Sequence, residues 1–299
     1  MPKELFTLIV PRFMGGSSAE NVGYNEEFGT EILPLYHGNL ASTAGPIYIG
    51  AVFMVLFIAA FVICIRYLKE NKESENRNVV LIITAAVALS FFVSVILGLG
   101  KYAGINTWLF ETLPYYNKFR TPSMALLIIE LMVPMSAMLV LNKFYQKPEL
   151  LKDKDLKKKL LIAGGSFIGV VLIIGLIPGT LFDFFSPQEM QQFDKMLAGA
   201  NASQGSKMME QIEEYRIGVV RGDAFRSIFI ILLGGAISWY FIKKQQLKIL
   251  AISLAVLIIG DLWMIDKRYV SNEKKRGKYE RWVKLKPYYY EHLPNTADE

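Results

Sequence analysis

Six long apolar runs constrain what this chain can fold into more than any other feature of its sequence. Each is close to the length of about 20 residues that a helix, rising 1.5 Å per residue, needs to cross a hydrocarbon core of roughly 30 Å. Backbone N–H and C=O groups in lipid must be bonded within the protein, so helices are expected. The sequence therefore predicts an all-α, polytopic membrane helix bundle of about six transmembrane helices with outward-facing loops. The runs lie near Pro46–Leu68, Asn78–Leu99, Thr121–Phe144, Leu160–Leu181, Asp223–Ile242 and Leu247–Ile265.

Composition agrees with a membrane protein and argues against several kinds of site. Hydrophobic residues make up 53% of the chain, and they are concentrated in blocks without the alternation of a strand. Cys64 is the only cysteine, which excludes a disulfide within the chain. The two histidines, His37 and His292, are far apart in the sequence, so no histidine-based metal site is expected. We accordingly expect no metal, no cofactor and no nucleic-acid partner.

The distribution of lysine and arginine predicts the orientation of the spans, because short cytoplasmic loops are enriched in these residues. The connections after the first, third and fifth spans are basic. Two spans separate each of them from the next, so all three lie on the same side of the membrane, which we assign to the cytoplasm. The tail after the last span is also basic, but the three short connections alternate consistently with the number of spans. The residues of these connections are Arg66, Lys69, Lys72 and Arg77; Lys143, Lys147, Lys152, Lys154, Lys157, Lys158 and Lys159; and Lys243, Lys244 and Lys248.

The spans divide the chain into three predicted regions. Residues 1–45 form an outward-facing loop segment, residues 46–266 form the six-helix transmembrane region, and residues 267–299 form the start of an extracytoplasmic tail. The first residues resemble neither a signal peptide nor a span, and the tail stops without a closing element. We therefore expect the chain to be a fragment of a longer polytopic protein that lacks the N-terminal half.

Residues 186–222 are predicted to form an outer helical hairpin. Ser186-Pro187-Gln188-Glu189 has the pattern of a capping box with proline at the first helical position. Apolar residues then recur at helical spacing on both sides of a turn predicted over residues 198–205. Such a hairpin either caps the bundle, which we favour, or lies in the headgroup layer beside a lipid substrate.

Basic and aromatic residues cluster at the outer mouth of the third span. Tyr116, Asn117, Lys118 and Arg120 precede this span, and Lys101 ends the span before it. Such residues commonly serve as interfacial anchors, a role that explains Lys101 well. Lys118 and Arg120 fit that role less well, because positive charge on the outer side runs against the orientation rule. Arginine also suits bidentate phosphate binding. The predicted substrate-binding residues are therefore Lys101, Tyr116, Asn117, Lys118 and Arg120, together with Glu130 in the third span.

Glu130 is an acidic residue within the third apolar run. A carboxylate deep in the bilayer costs a few kcal/mol or more, and such residues usually face a cavity or a partner. Pro134 lacks the N–H group that would bond the Glu130 carbonyl oxygen, which favours a kink. Glu130 is therefore either a functional group or a protonated side chain bonded to a neighbouring helix, and the sequence leaves both open. Asp261 lies in the last turn of the sixth span and is predicted to pair with a basic residue on a neighbouring helix.

Four stretches of the chain resemble the YfhO family of bacterial membrane proteins, which belongs among the GT-C-type integral membrane glycosyltransferases. The most specific is Tyr116-Asn117-Lys118-Phe119-Arg120-Thr121-Pro122-Ser123. The others are Pro11-Arg12-Phe13-Met14-Gly15-Gly16, Gly45-Pro46-Ile47-Tyr48-Ile49-Gly50 and Asp261-Leu262. The resemblance covers most of residues 5–270.

The resemblance implies transfer of a sugar from a polyprenyl-phosphate donor to a cell-surface polymer or lipid acceptor, in the bacterial cytoplasmic membrane. In GT-C enzymes the acidic catalytic residues typically lie in the first outer loop, near the N-terminus. The resemblance matches this chain to a later part of the family, which implies that the loop is absent from it. No catalytic residue is therefore assigned to it. Two alternatives stand beside the transferase. One is a transporter or lipid flippase with Glu130 as the coupling residue, and the other is a non-catalytic scaffold in a cell-envelope complex.

Overall fold

A computed structural model describes residues 2–18, 20, 24–25, 30–31, 35–38, 43–118, 122–199 and 202–269 of the chain. These residues form an α-helical bundle, and six helices in it are long and apolar enough to cross a membrane. The predicted all-α, multi-pass class is therefore confirmed. The six helices are α1 (Ala51–Glu70), α2 (Arg77–Gly98), α4 (Leu127–Gln146), α5 (Lys154–Leu176), α8 (Ala202–Lys243) and α9 (Leu247–Tyr269).

Short elements connect the spans. Three further helices lie between them: α3 (Gly104–Thr112), α6 (Pro178–Leu181) and α7 (Pro187–Leu197). Two-residue strands, β1 (Tyr24–Asn25) and β2 (Thr30–Glu31), pair antiparallel in the N-terminal region. Short 3-10 helices cover Pro2–Leu8, Gly100–Tyr102, Tyr116–Lys118, Pro122–Leu126 and Pro148–Leu151.

The central helix of the bundle is α1, which contacts α2, α4, α5, α8 and α9. Its neighbours turn large apolar side chains outward, as lipid-facing helices do. Leu161 of α5 and Trp239 of α8 are 76% and 67% exposed, for example. The helices therefore bury their inner faces against α1 and leave their outer faces to the hydrocarbon.

The fifth predicted span is part of a much longer helix. A continuous α8 runs from Ala202 to Lys243, so the second helix of the predicted hairpin does not end at residue 222. Residues 202–243 contain no proline, and the glycines Gly218 and Gly222 are tolerated in a helix at a cost of about 1 kcal/mol each. The predicted turn is correspondingly shorter, because α7 ends at Leu197 and α8 begins at Ala202.

The start of the hairpin is confirmed. The Ser186 hydroxyl accepts a hydrogen bond from the Glu189 N–H, and the Glu189 carboxylate accepts one from the Ser186 N–H, which completes the capping box. Phe193 of α7 and Ile212 of α8 are buried together with Leu35 of the N-terminal region. The described contacts therefore agree with a hairpin that caps one end of the bundle. We call this end the outer end and the opposite half the cytoplasmic half, after the orientation that the lysine-rich connections predict.

The N-terminal segment packs into the bundle. Val10, Phe13 and Met14 are buried in one apolar cluster with residues of α5 and α8. Gly15 and Gly16 have positive φ angles, and a Cβ atom at Gly15 would collide with the Leu35 backbone. These glycines therefore form a turn. Within the predicted loop segment, residues 2–18 serve as a lid of the outer end.

We expect cysteine labelling to place the lysine-rich connections on the cytoplasmic side. In a Cys64→Ser background, Glu73→Cys lies between α1 and α2, and Lys195→Cys lies on α7. A membrane-impermeant maleimide added to intact cells should label the cysteine at position 195, and should label the one at 73 only after permeabilisation. The reverse pattern would show that the assigned orientation is wrong.

Candidate functional site

The outer end of the bundle is joined by ion pairs centred on Asp223 of α8, which is 2% exposed. Arg12 of the N-terminal segment donates from Nε to Asp223 Oδ2 at 2.9 Å and from Nη2 to Oδ1 at 3.0 Å. Arg268 of α9 donates from Nη1 to Asp223 Oδ1 at 3.1 Å. One carboxylate thus ties together three parts of the chain, by charge-assisted hydrogen bonds of which the Arg12 pair is bidentate.

Asp261 of α9 makes a second junction nearby in the outer half. Its Oδ1 accepts a hydrogen bond from Arg226 Nη1 of α8 at 2.6 Å, which confirms the predicted pairing of Asp261 with a basic residue on a neighbouring helix. Its Oδ2 accepts from the Tyr48 hydroxyl at 2.9 Å and from the Ala51 N–H at 3.2 Å. Asp261 therefore satisfies a backbone donor at the N-terminus of α1, where Gly50 offers no side chain.

Three of the four stretches that carry the resemblance meet in these two junctions. Arg12 belongs to the first, Tyr48 and Gly50 to the second, and Asp261 to the last. Gly50 has a φ of 101°, which favours glycine, and Leu262 packs over it. In the part of the chain that the structure describes, these motif residues hold the outer ends of the helices together.

The guanidinium group of Arg226 has two donor atoms that its pair with Asp261 does not use. Its Nε and Nη2 atoms are buried and have no acceptor among the described residues, while its guanidinium carbon lies 5.5 Å from the centroid of the Tyr48 ring. Unsatisfied buried donors are costly, so a water molecule or an anionic ligand would be stabilised at these two groups.

A further buried ion pair fixes the outer hairpin. Arg216 of α8 donates from Nη2 to Glu189 Oε1 at 2.6 Å and from Nη1 to the Phe184 carbonyl oxygen at 2.6 Å. Burial alone would raise the pKa of Glu189, but the hydrogen bonds and the charge of Arg216 outweigh it, and the pKa lies below its usual range. Glu189 is therefore a charged structural partner of Arg216.

His37 is buried beside this pair, with its ring centroid 5.6 Å from that of Phe184. Its Nδ1 donates to the Leu35 carbonyl oxygen at 3.1 Å, which leaves Nε2 buried without a partner among the residues described. Burial and the nearby charge of Arg216 lower the pKa of His37 to about 4. His37 is consequently neutral at neutral pH.

The predicted substrate-binding residues Lys101, Tyr116, Asn117 and Lys118 lie at the outer ends of α2 and α4. Together with the aromatic residues Trp108 and Tyr115 they form what we call the outer rim. Lys101 and Lys118 are exposed, and Lys101 Nζ lies 5.6 Å from the Tyr102 ring centroid. Trp108 and Tyr115 are 59% and 79% exposed. Arg120, the most specific of the predicted phosphate ligands, lies outside the described residues.

Asn106 of α3 holds the outer rim together, and the sequence did not point to it. Its Nδ2 donates to the carbonyl oxygens of Ile96 at 2.7 Å and Gly100 at 2.9 Å, at the end of α2. Its Oδ1 accepts a hydrogen bond from the Tyr116 hydroxyl at 3.1 Å. The chain next to Lys101 is thereby joined to the turn that carries Lys118.

Glu130 lies in the first turn of α4, with an exposed side chain. Its neighbours Leu127 and Leu131 are 67% and 58% exposed, so this side of α4 faces outward from the bundle. No hydrogen bond from Glu130 to a neighbouring helix is seen among the described residues.

Two cavities open in the cytoplasmic half of the bundle, and Glu130 lines neither. The first, of about 610 Å³, lies between α1, α2 and α4, and polar residues such as Arg66, Asn76 and Lys143 surround its mouth. The second, of about 960 Å³, lies between α5 and α8 and is almost entirely apolar. Among the described residues, no three His, Cys, Asp or Glu side chains come together as a metal site would require.

The fold and these sites define a multi-pass α-helical membrane protein. Comparison of the chain with protein-family models, curated proteins and solved structures finds no match.

We predict that Asp223→Ala destabilises the outer end of the bundle, because it leaves Arg12 and Arg268 without their carboxylate. Removing one partner of a buried pair typically costs about 3–5 kcal/mol. The midpoint of thermal unfolding in detergent should fall, and trypsin should cleave after Arg12 more readily. The exposed Asp194 of α7 has no ion pair among the described residues, so Asp194→Ala is the matched control. Equal midpoints for the two variants would contradict the structural role of Asp223.

We also predict that stability falls as the pH is lowered from 7 to 4.5. The pKa of His37 is about 4 in the folded chain and 6.5 in the unfolded chain. As the pH falls below 6.5, His37 is therefore protonated in the unfolded chain before it is protonated in the folded one. The stabilisation that is present above pH 6.5 is lost over this range. The loss should be roughly 2–3 kcal/mol by pH 4.5. Glu189, with its lowered pKa, contributes to the pH dependence mainly below this window.

The measurement is the unfolding midpoint as a function of pH for the native chain and for His37→Gln. The groups that act on His37 by charge are Arg216, Glu189 and Lys3. The variant should be less stable at pH 7 and should lose most of the slope between pH 7 and 4.5. An unchanged slope in His37→Gln would assign the pH dependence to another group.

Proposed function

We propose that this chain is the membrane-embedded part of a glycosyltransferase that takes its sugar from a polyprenyl phosphate. The enzyme would lie in the bacterial cytoplasmic membrane and act on a cell-surface glycopolymer or glycolipid at the outer face. The observation that carries the proposal is the outer rim, where two exposed lysines are held next to aromatic side chains that face outward. Such a donor matches the outer rim in both its apolar and its anionic part.

A polyprenyl-phosphate sugar has an apolar chain that stays in the bilayer and an anionic phosphate at the interface. The outer rim offers a counterpart to each part. Exposed apolar side chains face the region of the prenyl chain: Ile105 and Phe110 of α3, and Met124 of the 3-10 helix before α4. Lys101 and Lys118 supply positive charge at the level of the phosphate, where cationic side chains stabilise a leaving phosphate.

In the reaction, the bond between the sugar C1 and the phosphate oxygen breaks as a new bond forms from C1 to an acceptor hydroxyl oxygen. The polyprenyl phosphate leaves with additional negative charge, which Lys118 and Arg120 would neutralise. The acceptor hydroxyl loses its proton to solvent in this scheme, because no base of this chain is assigned to it. Of the outer carboxylates, Asp223, Asp261 and Glu189 are already engaged with arginines.

The alternative function, a transporter or lipid flippase coupled through Glu130, has less geometric support. A coupling carboxylate is expected to face a cavity or a pathway, whereas Glu130 is exposed on the outside of the bundle near the start of α4. Proton-dependent uptake that is lost in Glu130→Gln would favour the transporter over the transferase.

We expect Arg120→Ala and Lys118→Ala to weaken binding of a polyprenyl-phosphate sugar to the purified chain. A hydrogen bond to a charged group contributes about 1.5–3 kcal/mol, which corresponds to roughly 10- to 100-fold in affinity for each residue. In cells, Arg120→Ala should abolish surface glycosylation while the protein still inserts. Binding is measured with a labelled donor, and insertion with protease protection.

The matched control is Lys195→Ala on α7, which removes an exposed outer lysine away from the outer rim. This variant should bind the donor like the native chain. If Lys118 and Arg120 served only as interfacial anchors, their alanine variants would insert less well but bind donor normally. Unchanged binding and transfer in Arg120→Ala would refute the proposed function.

A further inference from the structure

We propose that the apolar groove between α5 and α8 binds an anionic phospholipid of the cytoplasmic leaflet, with an acyl chain in the groove and the phosphate at its lysine rim. This site lies at the opposite side of the membrane from the outer rim and is independent of the transferase proposal.

The groove exists because α5 and α8 touch at their outer halves and diverge toward the cytoplasm. At the outer end, a Cβ atom on Gly175 of α5 would lie 3.1 Å from the Ala224 Cβ of α8. Farther toward the cytoplasm, a Cβ atom on Gly164 or Gly165 of α5, or on Gly235 of α8, would meet nothing within 4 Å. The resulting cavity of about 960 Å³ is closed on its inner side by α1 and α9.

The dimensions of the groove suit an acyl chain of a single leaflet. Along α8 it extends from Ile231 to Lys243, a distance of about 18 Å at 1.5 Å per residue. One leaflet contributes half of the hydrocarbon core, or about 15 Å. Its walls are apolar, and Leu161 and Leu232 on the two helices are 76% and 57% exposed, so the groove is accessible from the bilayer.

The charge at the cytoplasmic end identifies the class of lipid. Lys152, Lys157 and Lys243 line this end, and no acidic residue is found among the described lining residues. All three lysines are exposed, and no carboxylate pairs with them in the described part of the chain. Lys243 Nζ also lies 5.4 Å from the Trp239 ring centroid, which places it beside the groove wall. Basic pockets between helices on the cytoplasmic side are suited to anionic headgroups.

The test compares retention of phosphatidylglycerol and phosphatidylcholine with identical acyl chains by the purified 299-residue chain, measured by native mass spectrometry. The native chain should retain phosphatidylglycerol preferentially. The triple variant Lys152→Gln, Lys157→Gln, Lys243→Gln should lose that preference, with affinity falling about fivefold for each lysine removed. The control triple Lys154→Gln, Lys158→Gln, Lys244→Gln removes the same charge from the same side and should keep the preference, because these lysines do not line the groove.

A second pair of variants tests the acyl chain separately. Gly165→Leu with Gly235→Leu fills open space in the groove and should lower retention of both lipids. Gly169→Leu with Gly260→Leu is the matched control, because these glycines also have open space but do not line the groove. Size-exclusion profiles like that of the native chain establish that the variants are folded.

Three results would overturn the proposal. The first is equal retention of the two lipids by the native chain, and the second is equal loss in the lysine variant and its control. The third is native-like lipid retention in the filled variant. A native dimer that becomes a monomer when the groove is filled would instead assign the groove to a second copy of the chain.

Discussion

Asp223 accepts hydrogen bonds from Arg12 and Arg268 at a place from which solvent is almost excluded, and the outer half of the bundle depends on this interaction. A buried carboxylate without partners would be strongly destabilising, so the two arginines must stay close to it. They come from the N-terminal segment and from α9, whereas Asp223 is on α8. Asp223 stays paired only while the N-terminal segment, α8 and α9 remain in contact. Asp261 likewise links α9 to α8 and to the N-terminus of α1.

The buried arginines and the exposed lysines of the bundle have different partners. At the outer end, Arg12, Arg216 and Arg226 are largely buried and each is paired with a carboxylate, so they mainly position the lid, the hairpin and the spans. The exposed lysines of the outer rim and of the cytoplasmic groove have no such partner among the described residues. Those lysines lie next to apolar surface that faces lipid, which is the arrangement that a lipid carrying a phosphate requires.

Several features could be predicted because they depend on local patterns. The six spans follow from the length and hydropathy of the runs, the capping box at Ser186 from its spacing, and a partner for Asp261 from the cost of an isolated charge in a span. The continuity of α8 was missed because charged residues near 213–223 indicated the end of a span. Two of those residues are paired instead, Arg216 with Glu189 and Asp223 with Arg12 and Arg268, and the helix continues through them.

The sequence by itself determined that this chain is an α-helical, multi-pass membrane protein, because hydrocarbon requires every backbone polar group to be bonded within the segment. Tertiary structure decided which polar residues meet. Arg12 and Asp223 are 211 positions apart in the sequence. Asn106 belongs to no motif, and only the structure shows that it is hydrogen-bonded to both Gly100 and Tyr116. The groove, too, arises only from the divergence of α5 and α8. Such juxtapositions depend on packing between distant segments, which a local sequence pattern does not encode.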